Sequence, residues 1–210
     1  VTDKIIMAVL ARGHVLLEDV PGVGKTTTAL ALCRLMGMDF NRIQFTPDVV
    51  PSDVTGFTMY EKQTGRFIYR PGAVMCNMLL ADEINRTSSK TQAALLEVME
   101  EGKVTVDNET HPVPQPFVVI ATENPTGSSG TQMLPESQLD RFMISLSMGY
   151  PDHENLVELL RDRQTKNPLE NAKAVITKEE VVMLQDQVQK VYMADSILNY
   201  IATLAEATRN

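Results

Sequence analysis

A chain of 210 residues is long enough for one domain with a full core and a smaller appendage. Its 43% hydrophobic and 22% charged residues are those of an ordinary globular protein and exclude disordered or fibrous classes. The formal net charge of −8 argues against a broad nucleic-acid or anionic-membrane surface, and no apolar run of about eighteen residues offers a membrane span.

Residues 1–10 read as an amphipathic helix closed by Gly13. The chain starts without methionine and already inside a helix, as expected of a piece of something longer. A strand at 14–18 runs into Pro21-Gly22-Val23-Gly24-Lys25-Thr26, and a helix from Lys25 to Met36 stops at Gly37. Further strands are predicted at 40–45, 78–82, 117–121 and 142–147, with helical periodicity between most of them. That alternation predicts an α/β fold with a parallel sheet covered on both faces.

From 46 to 72 the pattern changes to short extended pieces broken by proline and glycine. Residues 57–60 and 66–69 flank Gln63-Thr64-Gly65 as a β-hairpin insertion. Ser89 with Gln92 has the capping-box spacing that opens a helix, with Ala93, Leu96 and Met99 on one face. A second hairpin pairs 103–106 with 110–113 around Asp107-Asn108-Glu109. Beyond Pro151 the reading is helical: Asp152 caps one helix, Thr177 and Glu180 box a second, and Asp195 caps a third carrying Ile197, Ile201 and Leu204.

The glycine loop between strand and helix has the form of a triphosphate cradle. Gly22 and Gly24 permit backbone conformations closed to other residues, so that amides turn inward on phosphate oxygens at the positive end of the helix. Lys25 reaches the β- and γ-phosphates, Thr26 takes one position on Mg2+, and Pro21, Val23 and Thr27 complete the binding stretch. Aspartate at 19 stands where the general template has glycine. A second half-site follows at 78–83, where a buried strand ends in Asp82, which holds Mg2+ through water, and Glu83, which polarises the attacking water. Asn124 ends the fourth strand and faces that water if its strand lies between the loop strand and the Asp82 strand; an Asn-Pro turn of no catalytic role explains it equally well.

These residues resemble a MoxR-type ATPase of the AAA+ superfamily, in the clade with a hairpin inserted in helix 2. The resemblance runs through HVLLEDVPGVGKT at 14–26, FTPDVVPSDVTG at 45–56, RPGAV at 70–74, LLADEINR at 79–86, KTQAALLEVMEE at 90–101, IATENP at 120–125 and LPESQLDRF at 134–142. It implies a P-loop three-layer sandwich, a parallel five-stranded sheet in strand order 5-1-4-3-2 with hairpin insertions, and a partial helical lid. Residues 1–150 form the nucleotide-binding domain and 151–210 the lid. It also implies ATP and ADP as ligands with Mg2+, sensor 1 at Asn124 and an arginine finger at Arg141 that reaches a neighbouring subunit's site. Aspartate at 19 is tolerated in that family. Arg86 and Glu97 are candidates for the subunit boundary, with solvated charges the default reading for both.

The implied protein is a cytoplasmic, homo-oligomeric motor, a hexameric ring, that remodels or matures partner proteins, among them von Willebrand A domain proteins and metallo-enzymes. Reduced, buried Cys33 and Cys76 suit that compartment. Glu123 replaces the family's usual glutamine and puts a carboxylate beside the γ-phosphate region. Arg209 does not occupy the sensor 2 position, which falls beyond Asn210. A nucleic-acid translocase of the same clade, a magnesium-chelatase-like motor and a nucleotide-gated scaffold remain alternatives, although the second hairpin sets only Lys103 and His111 against Asp107 and Glu109. The three histidines are far apart and read as structural, with no transition-metal site.

Overall fold

The computed structural model describes residues 1–18, 22–123, 134–165, 169 and 172–208. Expectations for Asp19, Pro21, Asn124 and Arg209 lie outside the described residues. The chain opens with α1 (Thr2–Leu10), β1 (Val15–Glu18), α2 (Lys25–Leu35) and β2 (Phe40–Gln44). There follow α3 (Pro51–Thr55), the hairpin β3 (Gly56–Glu61) and β4 (Arg66–Pro71), β5 (Met78–Asp82) and α4 (Ser89–Glu101). A second hairpin, β6 (Lys103–Val106) and β7 (Glu109–Pro112), leads to β8 (Val118–Glu123), α5 (Glu136–Leu139) and β9 (Ile144–Leu146). Three helices come last: α6 (His153–Thr165), α7 (Lys178–Val188) and α8 (Asp195–Ala207).

The sheet order is β2-β5-β8-β1-β9 with every pairing parallel, which is the expected 5-1-4-3-2 order read from the other edge. Strand alternation divides the core into two layers. Leu16, Leu79, Ala81, Val119 and Ala121 pack on one side with Leu95, Leu96 and Val98 of α4. Val15, Leu17, Leu80, Val118 and Ile120 pack on the other with Ile5 and Val9 of α1 and Ala29, Leu32 and Cys33 of α2. Each fully buried valine, leucine or isoleucine among them contributes about 1.5–3 kcal/mol, so the sheet interior is where the fold is anchored. Parallel strands covered on both faces leave their C-terminal ends as the open edge, where α/β sheets bind ligands.

Several local expectations need correction. Residues 51–55 form one helical turn rather than an extended piece, because Asp53 accepts from the amide of Val50 at 2.9 Å and Pro51 starts the turn. Ser88, not Ser89, caps α4 by accepting from Thr91 N at 3.3 Å, and Gln92 is buried, donating to Ile84 O at 3.0 Å. Ala93 is exposed, and the buried face of α4 carries Thr91, Leu95, Val98 and Met99 beside Leu96. Glu109 belongs to β7, because Asp107 (φ 49°) and Asn108 (φ 67°) alone make the two-residue turn. Ala194 precedes α8 and Asp195 is its first residue, with no side-chain cap.

The boxed cap on α7 forms as expected, with Thr177 N donating to Glu180 at 2.8 Å and Glu180 N to Thr177 at 3.2 Å. That helix is tied to α1: Gln185 Nε2 donates to Val9 O at 2.7 Å, Arg12 pairs with Asp186 at 2.5 Å, and Val181 is buried in the second layer. In contrast, α8 has no buried residue. Among the described residues no helix is long and apolar enough to cross a membrane.

Candidate nucleotide site

The open edge of the sheet holds a cavity of about 360 Å³. Gly22, Gly24, Lys25, Thr26 and Thr27 line one wall at the start of α2. The facing wall comes from Asp82 and Glu83 at the end of β5, Thr122 on β8, and Arg42 and Gln44 on β2. Residues far apart in sequence meet here because β8 lies beside β1 and β5 lies beside β8. Val23 lies in the loop without lining the cavity.

Gly22 and Gly24 both have φ of +91°, and a Cβ built on either would meet nothing within 4 Å. Their backbone is held in the left-handed region and borders open space, as a cradle for phosphate requires. α2 begins directly after Gly24, so the amides of its first turn and its positive pole point to the same place.

The acidic wall is cross-linked. Arg42 Nε donates to Asp82 Oδ2 at 2.7 Å, its Nη2 lies 2.7 Å from the same oxygen, and Thr122 Oγ1 donates to Asp82 Oδ1 at 3.1 Å. Glu83 sits at φ 55°, a backbone conformation that costs a non-glycine residue on the order of 1–3 kcal/mol. Its amide is anchored on Thr122 Oγ1 at 2.9 Å, and its Oε2 accepts from Gln44 Nε2 at 3.0 Å and Arg86 Nη1 at 2.8 Å. Thr122 therefore holds the Asp82 carboxylate and the Glu83 backbone at once. Arg86 is exposed, as a solvated charge should be, and also pairs with Glu83.

Glycine cradle, Lys25, hydroxyl and paired carboxylates are the donor and acceptor set that a magnesium triphosphate requires, so the residues fit that group. Arg42, Gln44 and Thr122 were not expected from the sequence. Two polar residues at i, i+2 near the end of an alternating strand were the available signal, since side chains two apart share a face.

Glu123 departs from expectation. It is buried and does not line the cavity, because strand alternation turns Thr122 inward and Glu123 away. Burial pushes its carboxyl up, and Glu18, its register partner on β1, pushes in the same direction against an amide donation from Leu134. The strand carrying it does lie between β1 and β5, the condition set for Asn124 to face the water, although Asn124 itself is outside the described residues.

Arg141 is not part of this cavity. It follows α5, pairs with Glu100 of α4, and lines a separate cavity with Arg12, His14, Met99 and Asp140. His14 beneath it is locked: Nδ1 accepts from Val119 N at 3.0 Å and Nε2 donates to Met99 O at 3.1 Å, and burial holds its pKa below the ordinary imidazole value.

A glycine cradle at a helix N-terminus, opposite paired carboxylates at the end of a parallel strand one place removed in the sheet, defines a P-loop nucleotide-binding protein. The model of the ATPase family associated with various cellular activities (AAA) matches residues 14–144, and the chain belongs to that family, as a MoxR-type AAA+ ATPase. It is 54% identical over 97% of its length to the uncharacterized protein YeaC of Bacillus subtilis, covering 64% of that protein. It is 40% identical over 99% of its length to chaperone MoxR1 of Mycobacterium tuberculosis, covering 54% of it. The crystal structure of a candidate ATPase from Cytophaga hutchinsonii superposes with a TM-score of 0.90 at 40% identity, over 98% of this chain and 62% of that one. The chain thus spans roughly half to two-thirds of the length of these relatives.

Proposed function

We propose that this chain is the nucleotide-binding core of an oligomeric motor that binds and hydrolyses ATP and uses the cycle to remodel partner proteins. The observation that carries the reading is the single cavity joining Lys25 and Thr26 to Asp82 and Glu83. Loop amides and Lys25 bind and orient the triphosphate. Mg2+ would be held by Thr26 and, through water, Asp82, and would neutralise phosphate charge.

Glu83 accepts a proton from the attacking water at its carboxylate, while Gln44 and Arg86 hold that carboxylate in place. Asn124 orients the water. Arg141, directed to a different cavity from its own chain's nucleotide site, acts on a neighbouring subunit's γ-phosphate, which requires a closed ring, taken as a hexamer. Residues 1–150 bind nucleotide and the helices after Pro151 act as lid. The name chaperone carried by the mycobacterial relative supports a remodelling role, and von Willebrand A domain proteins are the proposed clients.

Glu83→Gln separates binding from chemistry. Turnover is expected to fall by about 10²–10⁴-fold with ATP affinity retained, measured by phosphate release and by titration with labelled ATP. Undiminished hydrolysis would remove Glu83 as the base.

A further inference from the structure

The two hairpins enclose a cleft of about 460 Å³ that shares no residue with the nucleotide cavity. Thr58, Phe67 and Tyr69 of the first hairpin form one side, and Asp107 and Glu109 of the second form the other. Tyr60 and Phe67 are cross-strand partners on the face that carries Thr58 and Tyr69, with ring centroids 5.3 Å apart at 60°. Both rings are open to solvent, Tyr60 at 51% and Phe67 at 74% exposure, so neither is explained by the core.

The floor is rigid by contrast. Tyr69 donates its hydroxyl to Thr55 O at 2.5 Å, and its ring stacks on His111 at 3.9 Å and 7°. The paired left-handed residues Asp107 and Asn108 fix the turn that presents the two carboxylates. Neither Asp107 nor Glu109 has an ion-pair or side-chain hydrogen-bond partner among the described residues. Aromatic faces beside carboxylates select one kind of guest, a cation with a flat or apolar body. A simple metal ion has no use for the rings, and a phosphate backbone is repelled by the carboxylates.

The geometry points to a docking cleft for an arginine or lysine side chain presented by a partner polypeptide. The cleft is wide enough for that side chain and part of the flanking segment. The guanidinium or ammonium lies between Phe67 and the carboxylates, and the hairpins serve as a recognition surface rather than a nucleic-acid wedge.

The test is fluorescence anisotropy of a labelled pentapeptide of alternating glycine and arginine, titrated with the protein. Phe67→Ala and the pair Asp107→Asn/Glu109→Gln should each weaken binding by at least about tenfold and leave ATP hydrolysis unchanged, since these side chains are exposed and outside the nucleotide site. The pair Glu154→Gln/Glu158→Gln on α6 alters net charge equally and should leave binding unchanged. Equal loss in that remote pair, or none in Phe67→Ala, would overturn the cleft. So would tight binding of a single-stranded oligonucleotide that the pentapeptide displaces, or self-association abolished by Phe67→Ala, which would make a second copy the occupant.

Discussion

The acidic wall of the nucleotide cavity and the Arg141 cavity hold their charged groups in opposite ways. Asp82 and Glu83 are cross-linked by Arg42, Gln44, Arg86 and Thr122, and Asp82 is buried. Arg141 makes one ion pair with Glu100, with side chains 39% and 58% exposed. A surface pair of that kind is worth about 0–1 kcal/mol, so it can be exchanged for another partner at little cost. The groups proposed to act within their own chain are thus each held by several bonds, whereas the group proposed to act on a neighbour is held by a single exposed pair.

Three changes would break or sharpen that contrast. Thr122→Val removes the hydroxyl shared by Asp82 and the Glu83 amide, and should cost about 1–3 kcal/mol of stability in urea unfolding together with a lower turnover. No change in either would mean that the acidic wall is not pre-organised through Thr122. His14 tests whether the Arg141 side also contains a tightly held group. Its folded pKa lies below 6.5, so the unfolded chain binds the extra proton first as pH falls. Its stabilising contribution is complete above about pH 6.5 and is lost progressively below it. His14→Gln should flatten that acid limb of stability against pH, and an unaltered limb would assign the loss to other groups. The smallest effect is expected for Glu100→Gln, within about 0.5 kcal/mol of wild type, and a larger loss would show that Arg141 is structurally fixed in its own subunit.

Much of the fold was legible because its signals are local. Gly22 and Gly24, the apolar runs of β1, β5 and β8, and the turn residues of the first hairpin each act within a few residues. What escaped depends on neighbours. Arg42 and Gln44 gain meaning only when β2 is laid beside β5, and the inward turn of Thr122, with Glu123 facing away, follows from strand parity that a motif does not state. Ala93 was misread because the helix pattern alone does not say which side of α4 meets the sheet and which meets water.

The central claim is that two subunits complete one active site. Lys25→Ala protein, unable to hold nucleotide, and Arg141→Ala protein, lacking the finger, should each be inactive alone. Mixed as full-length chains, they should regain hydrolysis through interfaces that pair an intact Lys25 pocket with an intact Arg141, rising to a maximum at an intermediate ratio. Activity absent at every ratio, from mixtures shown to assemble, would contradict the account and return Arg141 to an ordinary surface role.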